Sequence, residues 1–221
     1  MGCLGAVFGD TKRAKKICKT NNANTDQAQV IHYFCDEHGC LSKRISDAEF
    51  DANKERQINA LNLKQKALNK LGIDEDQVKE IEPIVLVGPA YKAAEYKMKD
   101  KDGIYRYSAY QITYIFCSSD QVYVYQYTIN LDKYDKKERA EEYFYKDITN
   151  FTTIDETETL PFFVHKGGCL GKSAIESINV STSEFKIAVS GEAFLCSMIP
   201  NDETEGKIQA LKAKLREKKN S

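Results

Sequence analysis

Residues 121–131 read QVYVYQYTINL. Valines 122 and 124 alternate with tyrosines 123, 125 and 127, a period of two in residue types that suit a pleated surface. A strand here sits in the middle of a longer β-rich region. Upstream, residues 84–98 carry β-branched and aromatic residues, and KDKDG at 99–103 has the composition of a hairpin turn. Residues 104–117 are again rich in Tyr, Ile and Phe, and SSD at 118–120 turns the chain into the quoted strand. Downstream, DKYDKKERAEE (132–142) reads as a charged loop, 143–154 as a strand and DETET (155–159) as an acidic loop. Residues 175–181 and 184–190 read as two short strands with STS between them, followed by a strand over 192–198. About seven strands joined by turns predict an antiparallel barrel or sandwich. From Asp202 to about Lys218, Ile208, Leu211 and Leu215 recur at helical spacing, so a terminal helix is expected to plug an open end of the barrel.

The region before residue 82 has a different composition, and the expected domains are 1–82 and 83–221. DTKRAKKICKT (10–20) predicts a short basic helix, and NNANTDQ (21–27) a loop. Periodicity leaves VIHYFCDEHGC (30–40) open between strand and short helix. Ser46 followed by Glu49 is a capping box, so a helix is expected over about 47–71, with Ile58, Leu61, Ala67, Leu68 and Leu71 as one apolar stripe. Gly72 stops it, and Asp74 with Gln77 starts a shorter helix ended by Pro83. A helical arm with one apolar face must pack on something.

This element order resembles the pleckstrin-homology-like superfold in its bacterial form. The likeness covers about 84–218 and rests on QVYVYQYTINL, EYFYKDITNFTTI (142–154) and the helix IQALKAKLREKK (208–219). The fold class expected is therefore α+β: an N-terminal helical arm, then a pleckstrin-homology-like antiparallel barrel of about seven strands capped by a C-terminal helix. LSKRISDAEFDANKERQINAL (41–61) resembles the helical SHOCT motif through Ile45, Ser46, Glu49, Phe50 and Lys54. These resemblances imply binding of proteins, peptides or phosphoinositides, with self-association through the arm, and bring no catalytic motif.

HKGGCLGKSA (165–174) looks like a phosphate loop but is not one. Counting back from Gly171, the first glycine belongs at 166, where Lys166 stands, and the following residues are short, β-branched and polar instead of helix-forming. A looser anion site of backbone amides with Lys166 and Lys172 is the alternative. Cys18, Cys35, His38 and Cys40 are a candidate structural zinc set: Cys35-x-x-His38 is a spacing one ion bridges, with Cys18 and either Cys3 or Cys40 completing a tetrahedron. The competing reading is a set of reduced cysteines packed as small hydrophobes. Tyr123, Tyr125 and Tyr127, with the loops 132–142 and 165–173, are the candidate partner-binding surface.

Composition narrows the function. The net charge of -1 gives no electrostatic footprint for nucleic acid. No run approaches the roughly 18 apolar residues of a membrane-spanning helix, and the N-terminus lacks the order of a secretory signal. Acylation at Gly2 and Cys3 is an alternative there, although Ala6 stands where Ser or Thr is preferred. The expectation is a cytoplasmic, non-enzymatic binding or scaffolding protein with a protein partner or itself as partner. No cofactor is expected beyond the candidate zinc, and peripheral contact with anionic lipid through LKAKLREKK is the alternative.

Overall fold

The computed structural model describes residues 13–36, 44–78, 82–99, 103–164 and 174–219. Helical backbone over residues 13–20 (α1) leads to α2 (Thr25–Cys35), α3 (Asp47–Asn59) and α4 (Leu63–Leu71). The ambiguous apolar run at 30–35 is helix, and the helix begins inside the segment expected to be loop. The reason is a second capping box. Gln27 N donates to Asn24 Oδ1 at 2.9 Å, while Asn24 N donates to the Gln27 side chain at 3.0 Å. The Ser46–Glu49 box forms as expected, with Ser46 N donating to Glu49 Oε2 at 2.8 Å. The single long helix expected over 47–71 is two helices. Asn62, at φ 48°, takes the left-handed conformation between them. Asparagine tolerates that conformation better than most residues, and an apolar stripe does not record it. Gly72 ends α4 at φ 66°, as the sequence indicated.

Among the described residues nine strands follow: β1 (Ile84–Pro89), β2 (Lys97–Lys99), β3 (Tyr105–Tyr107), β4 (Ala109–Cys117), β5 (Gln121–Asn130), β6 (Lys136–Phe144), β7 (Ile148–Val164), β8 (Ala174–Val189) and β9 (Glu192–Ser197). They pair antiparallel in three open sheets, β1-β4-β5-β6, β2-β3 and β7-β8-β9, and not as one seven-stranded barrel. The four- and three-stranded sheets meet at one corner. There Ile199 N donates to Val87 O at 3.1 Å and Ser197 Oγ to Pro89 O at 2.7 Å. Gly88 permits this approach, since a Cβ would overlap the backbone of Ser197 and Met198. Helix α5 (Asp202–Lys219) follows, close to its expected bounds. No helix among the described residues is long and apolar enough to cross a membrane.

Three segments expected to be loops are strand. Residues 136–142 belong to β6, which lies at the edge of its sheet, where charged side chains reach water. DETET lies within β7 and STS within β8, because the two long strands pair continuously from Ile148↔Val189 to Val164↔Ala174 with one irregularity near the start. The strand expected over 143–154 is interrupted by a 3₁₀ turn, Tyr145–Asp147.

The molecule is layered. Ile84, Leu86, Ile115, Val122 and Val124 from the four-stranded sheet pack against Phe185, Ile187, Phe194 and Cys196 from the three-stranded one. Ile208, Leu211 and Leu215 of α5 join this inner core. On the outer face of the four-stranded sheet, Tyr110, Ile112, Phe116, Tyr125 and Tyr127 pack with Phe34, Phe50, Ala67, Leu68 and Leu71 of the helices. Arg106, nearly buried on β3, adds a polar tie to α3: its Nε and Nη2 donate to the Asp51 carboxylate at 3.2 and 2.8 Å.

Candidate binding cleft

After β1 the chain passes through PAYKAAEY (89–96), a stretch of small residues bracketed by tyrosines. A tight turn forms, with Ala93 N and Ala94 N both donating to Ala90 O, at 2.8 and 2.9 Å. Ser108, fully buried between β3 and β4, then holds the segment down. Its Oγ accepts from Glu95 N at 3.0 Å and Tyr96 N at 3.1 Å, and its carbonyl accepts from Leu131 N at 2.8 Å. One serine thus fixes both the 90–96 loop and the turn after β5. Lys133 on that turn pairs with Glu95 across the gap. Lys92 reaches the β7–β8 hairpin, with Nζ 3.5 Å from Glu158 Oε1.

These segments enclose a cleft of about 730 Å³. Ala93, Ala94, Leu160, Pro161 and Ile175 supply apolar walls, with Tyr91 and Tyr96 among them. Arg13, Lys92 and Lys133 place positive charge on the rim, and Glu95 and Asp135 place negative charge there. Phe34 of α2 stacks on Tyr96 at 5.7 Å and 18° between planes, so the helical region supports one wall. Ile175, at 76% exposure, is the most exposed large apolar residue of the described chain.

Asp132 lies beside the rim residues Lys133, Glu95 and Asp135 but is itself fully buried. Neither of its carboxylate oxygens receives a hydrogen bond of good geometry. Burial first, and the Glu95 charge second, push its pKa up to about 6. Nearby, burial pushes the Cys35 thiol up to about 12, which disfavours the thiolate. Lys97, 7% exposed, sits in a ring of aromatics: its Nζ lies 4.0 Å from the Tyr105 centroid and 5.6 Å from those of Tyr107 and Phe162. Desolvation lowers its pKa from the usual value.

The sites expected from sequence fall differently. Tyr125 is fully buried, Tyr127 is 4% exposed and Tyr123 is half-buried, all on the sheet face that the helices cover. Lys66 of α4 lies over the Tyr127 ring at 5.5 Å. The tyrosine face is therefore a platform for helices and not an open surface. An alternating strand looks the same in sequence whether its second face meets water or another layer. Cys35 is buried and Cys18 half-buried, both as free thiols. His38, Cys40, Lys166, Lys172 and the 165–173 loop lie outside the described residues. Among the described residues no three His, Cys, Asp or Glu side chains cluster to hold a metal ion. The cleft was not legible as a site. Its only sequence signal is the small-residue run between Tyr91 and Tyr96, and its other walls come from 40 to 80 residues downstream.

No family model matches the chain, and neither does any curated protein or solved structure.

Proposed function

We propose that this chain is a non-enzymatic binding protein that holds a short peptide segment of a protein partner in the cleft between the 90–96 loop and the β7–β8 hairpin. The observation that carries the reading is the cleft itself, with apolar walls and a rim of both charge signs. That combination suits an apolar anchor side chain flanked by charged residues. Strands in groups of four and three, followed by a helix packed into the core between them, support a pleckstrin-homology-like lineage for the scaffold. The reading places binding on the cleft and not on the arm. The residues behind the SHOCT resemblance have local roles here: Ser46 and Glu49 cap α3, and Phe50 is buried in the outer core.

A displayed random-peptide library selected against the whole protein tests this. Enriched peptides should share an apolar anchor and lose at least about tenfold in affinity against Ala93→Trp, which fills the cleft, while the melting temperature is unchanged. Absence of enrichment, or peptides that bind Ala93→Trp as well as the parent, would overturn the reading.

A further inference from the structure

Strand β6 ends its sheet. It pairs with β5 through nine positions, from Gln121↔Phe144 to Ile129↔Lys136, and no strand lies on its other side among the described residues. Roughly half its backbone N–H and C=O groups therefore point away from β5 and can template a further strand. The β1 and β7 edges, by contrast, are guarded. β1 is met by β9 at the Gly88 corner. The first half of β7 is reached by α5, where Lys219 Nζ donates to Ile148 O at 2.8 Å and Lys212 Nζ to Thr153 Oγ1 at 3.0 Å. The second half of β7 carries Asp155, Glu156, Glu158 and then Pro161, which lacks an N–H.

Charge on a free edge ordinarily discourages pairing. What sets β6 apart is how its charges are ordered. KKERAEE (136–142) begins with two cations and ends with two carboxylates. An antiparallel copy of the same strand therefore meets opposite charge at both ends.

We propose that β6 pairs antiparallel with β6 of a second copy of this chain, centred on Arg139, joining two four-stranded sheets into one of eight. A two-fold axis normal to a sheet must set a residue opposite its own copy, because opposed residues share a face. Centring on Arg139 places Lys136 opposite Glu142 and Lys137 opposite Glu141, each twice. Centring on Glu138 would set Lys137 against Arg139, and centring on Ala140 would set Glu138 against Glu142. The two central arginines are already held within their own chains. Arg139 Nε donates to Glu141 Oε1 at 2.8 Å, and the guanidinium carbon lies 4.5 Å from the Phe194 centroid. This association does not rest on the binding role proposed for the cleft.

Sedimentation velocity of the full chain over a concentration series tests the pairing. The parent should pass from monomer to dimer. Lys136→Glu with Lys137→Glu, and separately Glu141→Lys with Glu142→Lys, should each weaken dimerisation at least about tenfold. An equimolar mixture of the two double variants should recover it, because the pairs 136–142 and 137–141 are again of opposite sign. Amide exchange of 136–144 in the parent, which needs no variant, should slow as concentration rises. A parent that stays monomeric, a mixture that does not recover, or a dimer whose β6 amides exchange as in the monomer would each overturn the proposal.

Discussion

Asp132 shows how one side chain can tie stability to pH. Its carboxyl is raised to about 6 by burial, against an ordinary value near 4 in the unfolded chain. The folded state therefore holds this proton more tightly. Stability from this group is greatest below about pH 4, falls as pH rises through about 4 to 6, and stays low above that window. Asp132→Asn is expected to raise unfolding stability at about pH 7.5 by about 2–3 kcal/mol, and by little at about pH 4. Urea titrations of both proteins at the two pH values check this, and an equal effect at both would contradict the assignment. Asp51 makes the complementary case. Its loss leaves the Arg106 guanidinium, 4% exposed, without its two-pronged carboxylate, although Asp47 remains 3.6 Å away. Asp51→Ala should cost about 2 kcal/mol, read as a shift in the denaturant midpoint with an unchanged slope.

At the scale of elements, two backbone positions decide the layout. Asn62 separates α3 from α4 by adopting φ 48°. Asn62→Val forces a β-branched residue into that conformation and should destabilise by about 1–2 kcal/mol. Asn62→Gly should be neutral or slightly stabilising, and thermal melts of the two variants measure the contrast. Gly88 lets β1 and β9 touch where the sheets meet. Because the obstruction is backbone and not a movable side chain tip, Gly88→Ala should separate the two strands at a cost of roughly 3 kcal/mol or more. The corner amides of Met198 and Ile199, which donate to Ser183 and Val87, should then lose hydrogen-exchange protection before the rest of β4 and β5.

For the whole molecule, the decisive feature is that the four-stranded sheet is buried on both faces. The helices before residue 79 cover Tyr110, Ile112, Phe116, Tyr125 and Tyr127. A chain beginning at residue 83 would expose that face as one apolar patch. It should bind a hydrophobic dye and aggregate, whereas the full chain should unfold in a single transition. A soluble, dye-silent, cooperatively folding 83–221 chain would contradict this two-sided core.

Sequence alone was sufficient for the features that depend on neighbours along the chain. The Ser46–Glu49 cap, the Gly72 stop, the β5 alternation and the α5 stripe are all local patterns, and each appears at its expected place. Tertiary structure decided what those patterns face. Whether Tyr125 meets water or helix α4, whether charged 136–142 is loop or edge strand, and which distant segments wall the 90–96 cleft depend on contacts across tens of residues. The physical reason is that periodicity reports which side of an element is apolar, while the identity of the covering layer is set by long-range packing that leaves no periodic trace.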